Sequence, residues 1–130
     1  MNYFAFRTDA SQIIGSGHVM RCLTLAEKLR DRGDVVKFIS REHKGNLNEL
    51  IRSRGFEVSS LRNTRKELYT DVKTFFNEEV YQNCLGVSVG EDANDTKDSL
   101  QGQKIDWLII DHYSLGEKWE RELRQHVKNI

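Results

Sequence analysis

Ile14-Gly15-Ser16-Gly17-His18 lies between an apolar run, Tyr3-Phe4-Ala5-Phe6, and a stretch in which Val19, Cys22, Leu23, Ala26 and Leu29 recur at helical spacing. A short apolar run, a glycine-bearing turn and an amphipathic helix, in that order, read as strand, loop, helix. A helix that starts here aims its unpaired backbone N–H groups and the positive end of its dipole into the loop, which favours an anionic ligand. Gly15 and Gly17 supply the turn and let a ligand approach the backbone closely. His18 adds a group able to exchange a proton near neutral pH.

Working outward, the alternation continues. Helix spacing over residues 18–32 is followed by a strand at 35–39, a helix at 47–54, a strand at 56–61, a strand at 105–110 and a helix at 118–127. Strand-then-helix repetition predicts an α/β fold, a Rossmann-like parallel sheet flanked by helices. Gly33 and Gly55 stand where helix C-caps would turn into the next strand, and the pairs Asn46/Glu49 and Ser114/Glu117 have capping-box spacing. Trp107-Leu108-Ile109-Ile110 is continuously apolar, as a central strand covered on both faces would be. Residues 64–85, with Leu68, Val72, Phe75, Phe76, Val80 and Leu85, predict a poorly periodic helix or two short ones. The acidic run 91–98 reads as a solvated helix start; Asp92, Asp95 and Asp98 lack the glycine and terminal glutamate of a calcium loop. The last helix is expected to end near Lys128, where a further parallel strand would begin. The expectation is therefore a truncated N-terminal domain spanning 1–130, with a second domain completing its ligand cleft.

Composition narrows the function classes. The 130 residues suit one domain, and 20 Lys plus Arg balance 20 Asp plus Glu, so no basic field exists to hold nucleic acid or an anionic membrane. No apolar run approaches the roughly 20 residues that span a bilayer, and the chain opens on a strand rather than a signal peptide. The expectation is a cytoplasmic protein. Cys22 and Cys84 have no CxxC spacing, which points away from a disulfide framework or zinc site, and Cys22 falls on the packed face of the first helix.

The glycine turn is a poor dinucleotide fingerprint: Met20 occupies the third glycine position and Ser40-Arg41-Glu42 follows the second strand where a ribose-binding acid should close it. No cofactor is expected. Neither a G-x-S-x-G turn nor a Walker lysine occurs. Two readings of His18 stay open on the residues alone, a catalytic base or a loop hydrogen-bond partner. As a base it would remain neutral beside the helix N-terminus, with Asp9 orienting its ring and Arg7 or Arg21 meeting a negative group. Asp111-His112-Tyr113 ends the last predicted strand on the same rim as the glycine loop, so the two segments can converge on one pocket. His43 and His126 read as solvent-exposed bystanders, which leaves no metal site, and Trp107 and Trp119 suit packing positions.

The stretch Phe6-Arg7-Thr8-Asp9-Ala10-Ser11-Gln12-Ile13-Ile14-Gly15-Ser16-Gly17-His18-Val19-Met20-Arg21-Cys22-Leu23 resembles the opening of the UDP-2,4-diacetamido-2,4,6-trideoxy-β-L-altropyranose hydrolases of pseudaminic acid biosynthesis. Asp106-Trp107-Leu108-Ile109-Ile110-Asp111-His112-Tyr113 resembles the same family, as do Leu85-Gly86-Val87-Ser88 and Glu91-Asp92-Ala93. These enzymes are similar to glycosyltransferases of the GT-B type, including the peptidoglycan N-acetylglucosaminyl transferase. The resemblance implies hydrolysis of a UDP-linked sugar with His18 as the base. Substrate contacts are expected from Asp9, Gly15, Gly17, Arg21, Asp111, His112 and Tyr113, the residues that the loop and the strand end place around His18. The resemblance also implies that UDP binds chiefly to a C-terminal domain of the same polypeptide, so that this chain alone is inactive. A glycosyltransferase, or a sugar-nucleotide-binding module without turnover, is the alternative that the same residues allow.

Overall fold

The computed structural model describes residues 1–63 and 84–130. Four strands, β1 (Tyr3–Thr8), β2 (Val35–Arg41), β3 (Glu57–Leu61) and β4 (Trp107–Asp111), form one parallel sheet in the order β3-β2-β1-β4. Around it lie α1 (Gly17–Asp31), α2 (Asn48–Ser53), α3 (Val89–Leu100) and α4 (Glu117–Leu123). This is the Rossmann-like α/β arrangement that the alternation predicts. The helix expected at 64–85 falls outside the described residues except for Cys84 and Leu85, which belong to a turn.

β1 is paired on both sides, so Phe4 through Thr8 are all buried. Successive strand side chains point to opposite faces, which divides the core in two. Phe4, Phe6, Val36 and Phe38 pack under Val19, Cys22, Leu23, Ala26 and Leu29 of α1 and Ile51 of α2. Ala5, Ile39, Leu61 and Leu108 pack under Ala93 and Leu100 of α3 and Trp119 and Leu123 of α4. Cys22 sits in the first core as the sequence suggests. Gly33 and Gly55 take φ of 93° and 86° and donate their N–H groups back to Arg30 O and Arg52 O, closing α1 and α2.

Three local expectations change. Neither capping box forms: α2 is preceded by Leu47, with Asn46 Oδ1 accepting instead from Asn48 N at 3.0 Å, and α4 begins after Gly116 with no side-chain cap. Ser88 caps α3 through Glu91 N, 3.1 Å from its Oγ. Among the described residues β4 is an outer strand rather than a central one, and Trp107 is 42% exposed. α4 is shorter than the apolar spacing suggests, giving way to a 3-10 turn at Arg124–His126. Backbone bonds draw the following residues off the helix and alongside β4, from Lys128 N to Ile105 O and from Leu108 N to Asn129 O.

The sheet order has a functional consequence. From β1 the chain moves outward to β2 and β3, then returns to place β4 on the other side of β1. The reversal makes the carboxyl ends of β1 and β4 a topological switch point, where open α/β sheets place their ligands. The register Thr8↔Asp111 brings those two ends level.

Candidate active site

His18 is the second residue of α1, and Ser16 precedes the helix without a side-chain cap. The first helical bond is Met20 N to Ser16 O, so the amides of Gly17 and His18 lie ahead of the hydrogen-bonded ladder at the switch point. Gly15 has φ of 82° and turns the loop; a Cβ built on Gly15 or Gly17 meets nothing within 4 Å, so this approach to the backbone is open.

Asp111, the last residue of β4, points to the α1 side of the sheet. Its Oδ1 is 2.5 Å from His18 Nδ1, a contact that requires a proton between the two atoms. Nδ1 therefore carries the hydrogen in the neutral ring and donates to the carboxylate, which assigns the lone pair to Nε2. Nε2 bonds no described residue and is not sealed from solvent. Arg21 grips the same carboxylate with two bonds, Nε to Oδ2 at 2.7 Å and Nη2 to Oδ1 at 2.8 Å. Burial opposes ionisation of Asp111, but the Arg21 and His18 hydrogen bonds outweigh it and hold its pKa below the usual carboxylate value. Tyr113 is 67% exposed and meets the His18 ring edge-on, with centroids 4.5 Å apart. Cys22 Sγ lies 3.9 Å from Asp111 Oδ2. Burial, reinforced by the Asp111 charge, pushes its thiol up to about 11, so it is no nucleophile at neutral pH.

The glycine loop and the end of β4 thus meet, bringing His18, Arg21, Asp111 and Tyr113 together. The carboxylate that orients His18 is Asp111 and not Asp9. The Arg21 guanidinium also stands beside His18 Nδ1, with Nη2 at 3.3 Å.

No protein-family model matches the chain, and no curated protein does.

Asp9 and His112 lie one layer below the expected substrate surface. Asp9 is fully buried and its oxygens are filled: Oδ1 accepts from Arg7 Nη1 and from Arg41 N, and Oδ2 from Arg7 Nη2, His43 Nε2 and His112 Nε2. His43 is 3% exposed, not a solvent-exposed bystander. His126 is exposed as expected. Arg7 continues from Asp9 to Asp92, which is buried against the sheet rather than solvated; Asp92 also accepts from Arg41 Nη2 at 2.9 Å and Trp119 Nε1 at 2.9 Å. A signal for this was present. Asp92 shares one helical stripe with Val89, Ala93, Thr96 and Leu100, and Arg7 and Arg41 alternate with the strand residues that face α1. Among the described residues no group of three His, Cys, Asp or Glu is arranged to hold a metal ion, and no helix is long and apolar enough to cross a membrane. A cavity of about 540 Å³ lined by Tyr3, Val35, Lys37 and Ile105 lies at the amino ends of the strands, the end opposite His18.

This buried layer predicts an acid-labile fold. Burial raises the pKa of both Asp9 and Asp92, yet their arginine partners and hydrogen bonds outweigh it and both are held below the ordinary value, Asp9 far below. Unfolded carboxylates titrate near pH ~4, so above that range both states are ionised and the stabilisation is complete. As pH falls through and below it, the unfolded chain takes up protons that the folded chain refuses, and stability declines. Melting temperatures followed by circular dichroism should be level from neutral pH to about pH 5 and fall steeply below about pH 4. A melting temperature unchanged at about pH 3 would contradict the ionised layer.

Proposed function

We propose that the chain provides the base-bearing half of a UDP-sugar hydrolase acting on a UDP-linked 2,4-diacetamido-2,4,6-trideoxy hexose in cytoplasmic nonulosonic (pseudaminic) acid synthesis. The observation that carries this reading is the His18–Asp111 pair at the switch point, with Nε2 left open. In the reaction, Nε2 accepts a proton as a water oxygen bonds to the anomeric carbon. The bond from that carbon to the glycosyl oxygen breaks, its electrons stay with UDP, and the free sugar leaves. His18 then returns its proton to solvent. Asp111 keeps the lone pair on Nε2 and balances the imidazolium as it forms. The open amides at Gly17 and His18 and the helix dipole favour the growing charge on the diphosphate. In this reading the sheet is the N-terminal half of a GT-B-type enzyme, and a second domain binds the nucleotide.

The test is product analysis in oxygen-18 water, using the polypeptide that carries both halves of the cleft. Attack at the anomeric carbon puts the label in the free sugar and none in UDP. Label in UDP would mean attack at phosphorus. Transfer to a sugar acceptor with no free sugar would place the protein among glycosyltransferases.

A further inference from the structure

We propose that Asp9, His43 and His112 form a buried positioning layer that fixes Asp111 on His18, with His112 as the link. The inference rests on the reading of His18 as the base, but its geometry stands independently. Asp111 is the last residue in register with β1, so the parallel ladder stops holding the chain at the position that orients the base. The next residue takes over. His112 Nδ1 accepts from Ser114 N at 3.0 Å, which places the ring proton on Nε2, and Nε2 donates to Asp9 Oδ2 at 2.8 Å.

Adjacent residues project to opposite sides, so Asp111 faces α1 while His112 reaches into the charged layer. Rotating the Asp111 carboxylate through its backbone would strain both His112 bonds. Asp9 is itself immobilised from three directions: by β1 through Arg7, by the β2 backbone through Arg41 N, and by His43 Nε2 at 3.0 Å. His43 is caged in turn. Asn63 Nδ2 lies 3.2 Å from its Nδ1, and a Cβ on Gly86, which has φ of 83°, would stand 3.1 Å from its Cε1. The layer leaves Asp9 no capacity to contact a substrate. Its consequence is directional: what it holds still is the turn carrying Asp111 and Tyr113.

Two variants separate the two bonds of His112. In His112→Asn the amide oxygen can replace Nδ1 toward Ser114, but the side chain is too short to reach Asp9. In His112→Gln the amide nitrogen can replace Nε2 and keep the Asp9 bond. Nitrogen-15 spectra of the His18 ring in mildly alkaline buffer should show a single Nδ1–H tautomer in the unmodified protein and in His112→Gln. In His112→Asn the two ring signals should move toward each other as the tautomers mix. In the polypeptide with both halves of the cleft, His112→Asn should lower kcat by up to about 10²-fold with KM little changed, as a displaced base would. Unaltered His18 signals in folded His112→Asn would overturn the proposal. Mixed tautomers in His112→Gln would overturn it too, and that result can be read even if His112→Asn does not fold. A single tautomer in the unmodified protein and His112→Gln, mixing in His112→Asn and no UDP release by any of them would sustain the positioning layer and refute the hydrolase reading instead.

Discussion

His18→Asn is expected to lower UDP release by about 10²- to 10⁴-fold, the usual contribution of a general base, while barely moving the melting temperature. Asparagine is the informative replacement because its side-chain amide can donate to Asp111 Oδ1 from near the place of Nδ1. It supplies nothing at the position of Nε2. The hydrogen bond that ties α1 to β4 can therefore survive while the proton acceptor is lost. KM should change little, since the amides at Gly17 and His18 and the Arg21–Asp111 pair remain. Equal losses in kcat and kcat/KM are the signature of an interaction made only in the transition state. UDP release within about threefold of the unmodified protein would remove His18 from the proposed proton transfer and leave it as the loop's hydrogen-bond partner.

Much of this site follows from local sequence pattern. The strand–turn–helix at β1 and α1 is legible because the apolar run Tyr3–Phe6 and the helical spacing of Val19, Cys22, Leu23, Ala26 and Leu29 are short-range properties. That His18 and Asp111 share a rim follows from parallel topology, since every strand then ends on the same side. The partner of His18 is harder to read. Asp9 is near His18 in sequence, but it continues the parity of Ala5 and Arg7, which face away from α1, and it bonds Arg7 on that side. Asp111 is still inside β4, and Leu108 and Ile110 on the far face put it toward α1. The burial of His43 depends on Asp9, Asn63 and Gly86, residues brought together only by the fold. Trp107 is harder to read for a related reason: an apolar run records that a strand is buried somewhere along its length, while the exposure of Trp107 is set by what packs on the outer side of β4, where Asn129 alone bridges to it among the described residues.

Arg7→Met should be among the most destabilising single substitutions in the described chain. Arg7 is fully buried between two carboxylates, bonded to Asp9 through Nη1 and Nη2 and to Asp92 through Nε and Nη2. Burial works against its charge, but Asp9 and Asp92 prevail and raise its pKa, so it is a cation at any physiological pH. Methionine fills much of the same volume and removes the charge, leaving Asp92 and Asp95 on the Arg41 guanidinium and Asp9 with only the Arg41 backbone N–H and the rings of His43 and His112. Removing one partner from a buried ionic network costs about 3–5 kcal/mol, because the surviving charge remains desolvated. For a domain of this size that corresponds to a fall of roughly 10–20 °C in melting temperature. Arg21→Met is the contrasting substitution: its guanidinium also grips a carboxylate, but the side chain is 69% exposed and water can replace it. The comparison separates burial from charge pairing as the source of the effect. A loss below about 1 kcal/mol for Arg7→Met would mean that Asp9 and Asp92 are protonated or hydrated in the folded protein. The acid-labile stability expected of the same layer would then disappear as well.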